Sequence, residues 1–278
     1  MHVASLHPKE EQQTLERAFR DIVETGKSLN EHLLLRRDEQ TVPVEVAGTL
    51  VEFNGQSMAL GIFRDLTKRK EEETRRLYHL AYYDGLTGLP NRELFRDRLT
   101  QTIVRARRDE ERVGLLYLDL DRFKVINDSL GHSLGDELLK TVSDRLQGSV
   151  RAEDTVARLG GDEFTVILPG IHQPGAAATV ALKIFEALAA PVVLQDHHLY
   201  VTVSIGISVF PDDGGELEPL LKYADTAMYR AKEMGGNDYR FYSPEMSARF
   251  RYRLSLEHEL RKALRQEKMD TRSFERAE

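Results

Sequence analysis

The chain has 278 residues, 41% of them hydrophobic, with a formal net charge of −7 and no cysteine. The lack of cysteine excludes disulfides, thiolate metal sites and cysteine nucleophiles, so a bound metal would be a hard cation such as Mg²⁺ held by oxygen or histidine. The negative charge argues against a nucleic-acid partner. No apolar run approaches the roughly 20 residues of a membrane span, and the start lacks the layout of a secretory signal. We therefore expect a cytoplasmic protein without membrane insertion.

The first 66 residues predict a helix followed by a β-meander. Apolar residues recur with helical spacing over residues 10–25, and Thr25-Gly26 is a typical helix end. Three β-prone stretches follow, at residues 31–36, 42–53 and 58–63. Asn54-Gly55 predicts a tight hairpin between the last two. Residues 67–83 are charged and predict a connecting helix, although their short apolar stripe is also compatible with a two-stranded coiled coil.

Residues 84–244 alternate helical and strand patterns, which predicts one mixed α/β domain of catalytic size. Helices are predicted at residues 91–108, 133–150, 174–190 and 216–234. Strands are predicted at residues 113–120, 155–159 and 164–168, near 198–210 and at 238–242. In the remaining residues, 245–278, an amphipathic helix over 254–264 is followed by a charged tail.

A buried strand ends in two acids, Asp119 and Asp121. Alternation along a strand places both on the face opposite the neighbouring leucines. One of these carboxylates, with another from an adjacent strand, could clamp divalent cations as nucleotidyl transfer requires. A solvated strand end is the alternative.

Two glycines and two acids, Gly160, Gly161, Asp162 and Glu163, stand between two β-prone segments and predict a tight four-residue turn. Glycine tolerates positive φ, and the turn would bring bare backbone amides beside two carboxylates. The order predicts a metal and phosphate site, although an isolated motif of this kind would be a solvated hairpin turn.

A polar run follows the acidic strand. Lys124 could meet a phosphate, and Asn127 and Asp136 offer an amide and a carboxylate. That pair suits guanine, whose N1 and N2 donate hydrogen bonds while O6 accepts one. The same two residues could instead be helix caps.

In this order the motifs resemble the GGDEF family of diguanylate cyclases, which condense two GTP into cyclic di-GMP. The resemblance covers residues 78–244 and includes the entrance segment Asp84–Arg92, the strand end from Asp119 to Lys124, the signature turn and Tyr229–Lys232. It implies an α/β (α+β) fold like nucleotide cyclases and polymerase palms, with a central, mainly antiparallel sheet flanked by helices.

The resemblance also implies roles for individual residues. The metal ligands for Mg²⁺, with Mn²⁺ as a substitute, would be Asp119, the Leu120 carbonyl and Asp162. Asp162 and Glu163 would be catalytic, Glu163 as a further ligand or in proton transfer. The GTP-binding residues would be Lys124, Asn127, His132, Asp136, Gly160, Gly161 and Lys232. Within that set Asn127 and Asp136 would read guanine, His132 would line the nucleotide pocket, and the others would hold the phosphates.

Arg151 and Asp154 stand shortly before the signature turn, at the spacing of the family's RxxD product-inhibition site, so the resemblance implies that they bind cyclic di-GMP. An isolated Arg-x-x-Asp would be a surface ion pair. The chain departs from the family in two ways. Gly236 stands where many relatives carry an arginine four residues after Lys232, and Lys183 is the stand-in for a second inhibitory-site arginine.

The flanks resemble fragments of neighbouring domains. Residues 1–66 resemble the C-terminal half of a PAS sensor domain, and residues 254–264 resemble the helix that leads into an EAL phosphodiesterase. The expected organisation is a partial PAS domain at 1–66, a connecting helix at 67–83, the cyclase domain at 84–244 and a C-terminal helix and tail at 245–278. Cyclic di-GMP hydrolysis is not expected.

The expected function is a homodimeric diguanylate cyclase that releases two pyrophosphates and is inhibited by its product. The alternative is a catalytically silent module that binds GTP or cyclic di-GMP. A cyclase or polymerase for another purine is disfavoured by Asn127 and Asp136 together.

Overall fold

The computed structural model describes residues 7–8 and 11–247. By its contacts the chain divides into two compact units, residues 1–79 and 80–278. The helix expected over 254–264 lies outside the described residues. Among the helices of the described part, none combines the length and apolar character needed to cross a bilayer.

The first unit is a helix followed by a three-stranded antiparallel meander. Its elements are α1 (Gln12–Thr25), β1 (Lys27–Leu35), β2 (Thr41–Phe53) and β3 (Gln56–Asp65), with strand order β1-β2-β3. Gly26 ends α1 with φ of 78°, and its N–H donates to the Ile22 carbonyl. Asn54 and Gly55 both have positive φ, 49° and 77°, as the predicted hairpin turn requires. The predicted helix and strands are confirmed, whereas the assignment of this unit to a PAS domain stays a prediction.

The connecting helix is confirmed as α2 (Thr67–Tyr82). Its residues 68–82 are exposed, and Leu77 and Leu80 are 61% and 66% accessible. This exposure leaves both the connecting-helix and the coiled-coil interpretations open.

The second unit is built on a five-stranded sheet. Its strands are β4 (Arg112–Leu120), β5 (Thr155–Gly160), β6 (Glu163–Ile171), β9 (Val203–Phe210) and β10 (Tyr239–Phe241). The order is β10-β9-β4-β6-β5, and the pair β10–β9 is parallel whereas the other pairs are antiparallel. A separate small hairpin, β7 (Val192–Leu194) and β8 (His197–Leu199), precedes β9. The mainly antiparallel sheet is therefore confirmed.

Helices cover both faces of this sheet. They are α3 (Arg92–Asp109), α4 (Phe123–Leu130), α5 (His132–Gly148), α6 (Gly175–Ala189) and α7 (Leu217–Glu233). One core packs Leu116 and Leu118 of β4 with α5 and α6, and the other packs Leu115 and Tyr117 with α3 and α7. Because side chains alternate along a strand, β4 contributes to both cores. It is also the central strand of the sheet.

Candidate active site

Asp119 and Glu163 are register partners in the antiparallel pair β4–β6. Residues directly opposite in such a pair project from the same face of the sheet. Asp119 also belongs to the alternating set that includes Leu115 and Tyr117, opposite Leu118. The predicted facing of Asp119 is confirmed, and its carboxylate is almost fully buried.

Lys232 supplies the positive charge next to Asp119. Its Nζ atom lies 2.5 Å from Asp119 Oδ1. Burial raises the pKa of Asp119 to about 6; the charges of Asp162 and Glu163 act in the same direction, and Lys232 opposes them. Asp119, Asp162 and Glu163 therefore bring more negative charge to this place than Lys232, which contacts Asp119, can balance.

A glycine on the neighbouring strand allows Lys232 to reach this position. A Cβ on Gly206 of β9 would lie 1.9 Å from the Ala224 carbonyl oxygen and 2.2 Å from the Met228 nitrogen of α7. Only glycine therefore permits α7 to lie directly on the sheet. Sequence reasoning missed Gly206, because the approach of helix to strand is a tertiary contact.

The glycine-rich turn is shorter than predicted. Gly160 still pairs with Glu163 across the hairpin, so the loop consists of Gly161 and Asp162 rather than four residues. Gly160 and Gly161 have φ of 141° and 55°, and apart from the chain neighbours no atom of the described residues lies within 4 Å of a Cβ built on either. Both glycines are thus needed for backbone conformation. The Leu120 N–H donates to the Asp162 carbonyl (3.3 Å), which ties the turn to the end of β4.

Arg158 clamps this turn from β5. Its Nε and Nη2 atoms donate to the Gly161 carbonyl at 3.0 and 2.7 Å, and its Nη1 atom lies 2.8 Å from Asp84 Oδ1. Burial alone would raise the pKa of Asp84, but hydrogen bonds from Thr87 and Arg158 bring it below its usual value. Sequence reasoning assigned no role to either residue of this ion pair; an arginine within an otherwise apolar strand was the available signal.

Two further side chains lie near Glu163, and sequence reasoning named neither. Burial raises the pKa of Asp225 on α7, and the Glu163 charge adds to that effect. Burial also raises the pKa of Tyr117, again with a contribution from Glu163. Tyr117 lies on the same face of β4 as Asp119, and Asp225 lies on α7, the helix that packs on this face.

Asp121 has a structural role instead. Its carboxylate accepts hydrogen bonds from Ser204 Oγ (2.7 Å), Thr202 Oγ1 (2.8 Å) and the Asn237 N–H (2.9 Å). This arrangement explains the glycine at position 236. Its φ is 75°, and a Cβ on Gly236 would lie 2.9 to 3.0 Å from the Asp121 carboxylate. Of the two acids at the strand end, Asp119 faces the turn and Asp121 closes the loop before β10.

Four of the residues expected to bind GTP, Lys124, Asn127, His132 and Asp136, lie on α4 and α5. Lys124, His132 and Asp136 are exposed. Asn127 Oδ1 is buried and has no hydrogen-bond partner among the described residues; a Cβ on Gly135 would lie 1.8 Å from it. The helix-cap alternative for Asn127 and Asp136 is wrong, because Arg122 and Gly131 occupy the N-cap positions.

Arg151 and Asp154 meet through the backbone. The Arg151 N–H donates to Asp154 Oδ2 (2.8 Å), while the Arg151 side chain is 80% exposed and its Nη1 atom lies 3.8 Å from Glu153 Oε1. Both residues line a cavity of about 360 Å³. Burial raises the pKa of Asp154, and among the opposing influences is the charge of Lys183 on α6. The alternative interpretation, a surface ion pair between the side chains of Arg151 and Asp154, does not describe this contact.

Comparison with known proteins identifies related sequences. The family described as diguanylate cyclase, GGDEF domain, matches residues 81–238. Over 190 residues the chain is 46% identical to the bifunctional diguanylate cyclase/cyclic di-GMP phosphodiesterase MucR of Pseudomonas aeruginosa, covering 68% of this chain and 28% of MucR. It is 40% identical over 173 residues to the diguanylate cyclase TpbB of the same species, covering 62% of this chain and 40% of TpbB. The chain thus spans less than half the length of either relative.

Solved structures agree with the sequence matches. A GGDEF-only form of TpbB superposes with a TM-score of 0.60 at 37% identity, covering 61% of this chain and 99% of that chain. The coiled coil and GGDEF domain of DgcB from Caulobacter crescentus, solved in complex with c-di-GMP, gives a TM-score of 0.56 at 28% identity, covering 63% and 92%.

Proposed function

The chain belongs to the family of diguanylate cyclase GGDEF domains, and we propose that it condenses two molecules of GTP into cyclic di-GMP and two pyrophosphates. The observation that carries the proposal is the pairing of Asp119 with Glu163 beside the turn that bears Asp162. The contact of Lys232 with Asp119 supports it, because this places a cation among buried acids. The identity with TpbB, a named diguanylate cyclase, supports the same reaction.

The residues around Asp119 fit Mg²⁺ by their chemistry. They offer carboxylate and carbonyl oxygens, the ligands of hard cations, in a buried place where acids exceed cations. Within residues 7–8 and 11–247 no three acidic or histidine side chains are grouped to hold a metal by themselves. We therefore assign the site to Asp119, Asp162 and the Leu120 carbonyl, completed by phosphate oxygens of the nucleotide. Bound there, Mg²⁺ or Mn²⁺ would lower the pKa of the attacking hydroxyl and neutralise developing charge.

The chain's own groups would bind and orient the triphosphate. Lys232 and the amides of Gly160 and Gly161 face the phosphates, with Lys124 contributing from the start of α4. The 3′-oxygen of one GTP forms a bond to the α-phosphorus of the other, and the bond from that phosphorus to the bridging oxygen breaks as pyrophosphate leaves. Glu163 takes the proton of the 3′-hydroxyl.

Guanine recognition is assigned to the corner between α4 and α5. The buried Asn127 Oδ1 accepts no hydrogen bond among the described residues, so a donor from guanine would satisfy it. Asp136 supplies a carboxylate acceptor one turn along α5, and His132 lines the pocket. Adenine presents a different donor pattern on this edge, which favours GTP as the substrate.

The first experiment incubates the full chain with GTP and Mg²⁺ and separates the nucleotides by chromatography. We expect cyclic di-GMP, and we expect the Asp162→Ala variant to make at least roughly 100-fold less because it loses a metal ligand and charge stabilisation. Asp144→Ala, an exposed acid on α5, is the matched control and should keep full activity. Equal activity of Asp162→Ala and the wild type would contradict the proposal.

Product inhibition is the second part of the proposal. The cavity lined by Arg151 and Asp154 supports it, because an exposed guanidinium can make paired hydrogen bonds to a phosphate or a guanine edge. Lys183 supplies a second positive charge near Asp154. We expect Arg151→Ala to need at least roughly tenfold more cyclic di-GMP for half-inhibition while its initial rate is unchanged. Unaltered inhibition of that variant would reject the site.

The alternative function is a silent module that binds GTP or cyclic di-GMP. Gly236 favours it, because the resemblance implies an arginine at this position, and without that arginine one contact to the triphosphate is absent. A side chain at this position would collide with the Asp121 carboxylate. Measurable binding of cyclic di-GMP without product formation would select this alternative.

The remaining proposals concern the domain at the start of the chain, its cellular location and its oligomeric state. We propose that the first unit is the C-terminal half of a PAS sensor, supported by its helix and antiparallel meander. We also propose that the chain works in the cytoplasm, where GTP is available, and as a homodimer.

A further inference from the structure

The first unit contains a cavity of about 130 Å³ beneath α1. It exists because a row of small residues crosses the sheet: Ser28 is the register partner of Gly48, and Gly48 is the partner of Gly61. Helix α1 covers this row with apolar side chains, including Ala18 and Ile22. The walls are therefore mainly hydrocarbon.

One wall of the cavity is polar and buried. The His32 side chain is 1% exposed, and the His7 ring meets it edge-on at 5.6 Å between centroids. His32 Nδ1 lies 3.6 Å from Glu11 Oε2, which is too long for a hydrogen bond. Neither of these two atoms has a hydrogen-bond partner among the described residues. A buried polar atom left without a partner costs free energy that a ligand can recover.

We propose that this cavity is a binding site for a small aromatic molecule that carries one hydroxyl group. An apolar cavity of about 150 Å³ accommodates benzene, so the volume here suits a single six-membered ring. A hydroxyl both donates and accepts a hydrogen bond, and it therefore matches either tautomer of His32. The inference concerns the first unit alone and does not rest on the proposed cyclase activity.

The test measures binding of phenol and toluene to the full chain by ligand-observed nuclear magnetic resonance. The two probes have nearly the same shape, but phenol alone offers a hydroxyl. We expect saturable binding of both, with phenol about tenfold tighter because of its hydrogen bond. No saturable binding of phenol would overturn the site, and equal affinities would overturn the assignment of the hydroxyl.

Gly61→Val is the decisive variant. A Cβ on Gly61 would meet Phe63 and Val46 at 3.5 and 3.8 Å, which are ordinary contacts, so the strand accepts a side chain that fills the cavity. We expect phenol binding to weaken at least tenfold while the fold is retained. Ile62→Val, at a 64% exposed neighbouring position, is the control and should bind phenol normally. Undiminished binding by Gly61→Val would overturn the proposal.

A third variant separates the apolar part of the site from its polar part. His32→Leu removes the hydrogen-bonding group and keeps an apolar wall. We expect it to bind toluene and to lose the tenfold preference for phenol. A preference that survives in this variant would show that His32 is not the partner of the hydroxyl.

Discussion

Individual glycines set how closely the parts of the second unit approach one another. Gly206 gives α7 its direct contact with β9, and any side chain there would overlap backbone atoms of the helix. Gly160 and Gly161 have free space around them and serve only the backbone conformation of the turn. The same residue type therefore acts by two different physical mechanisms within one site.

Gly236 offers a test at this scale. We expect Gly236→Arg, which installs the arginine that the family resemblance implies at this position, to destabilise the second unit by about 1–3 kcal/mol, because positive φ and the Asp121 carboxylate both oppose a side chain. Thermal unfolding measures the effect. Gly148→Ala, where a Cβ would meet nothing within 4 Å, is the control and should be nearly neutral. An unchanged transition in Gly236→Arg would mean that the loop rearranges freely.

His32 makes the stability of the first unit depend on pH. Burial and the charge of His7 lower the pKa of His32 below its usual 6.5, and Glu11 opposes this. The unfolded chain therefore binds a proton at a pH where the folded unit does not, and stability must fall as pH drops through 6.5. We expect faster amide hydrogen exchange in β1–β3 at about pH 5.5 than at about pH 7.5, after correction for intrinsic rates. His32→Leu should reduce this difference; the same pH dependence in that variant would assign it to other groups.

At the scale of elements, the turn of the hairpin β5–β6 bears Asp162 and is held in place by Arg158 of β5. The three contacts of its guanidinium require a planar fork of donors, which lysine lacks. We expect Arg158→Lys to retain the fold and to lower the rate of cyclic di-GMP formation by roughly tenfold to hundredfold, because the turn is less well positioned. Arg112→Lys, which alters an exposed ion pair, should leave the rate unchanged. A fully active Arg158→Lys enzyme would show that the clamp does not position the turn.

Local patterns predicted most elements because they depend on neighbouring residues. Alternation in β4 sufficed to place Asp119 on the face opposite Leu116 and Leu118, because each side chain of a strand projects from one of only two faces. Helix α4 was missed: it has only eight residues, and its N-cap, Arg122, has positive φ and makes no side-chain cap bond. Strand β7 was missed because three residues carry too little pattern.

The contacts that complete the site were beyond sequence reasoning. The approach of Lys232 to Asp119 depends on the seating of α7 over Gly206, and the clamp by Arg158 depends on a loop far away in the sequence. The family resemblance assigned Lys232 to phosphate binding but did not predict its contact with Asp119. Sequence patterns report the face of a strand, whereas such pairs arise only from packing between elements.

At the scale of the whole molecule, the proposed reaction requires two copies of the chain. The described part of the second unit offers one set of acids and one proposed guanine-binding corner, whereas the proposed reaction joins two nucleotides. We expect the rate per chain to rise with chain concentration and then to level off as dimers form. The measurement is initial rate against concentration, with the oligomeric state determined in parallel. A constant rate per chain in the range where the chain is monomeric would contradict the homodimer.

The position of β4 in the sheet order also determines when the site forms during folding. This strand lies between β6 and β9, both of which come later in the chain, and Lys232 follows later still. Such distant pairings form slowly, because a long loop must close before any contact compensates for the lost entropy. A partly synthesised or partly folded chain therefore contains Asp119 without its neighbours and has no assembled site. The proposed synthesis of cyclic di-GMP would then begin only after α7 has docked.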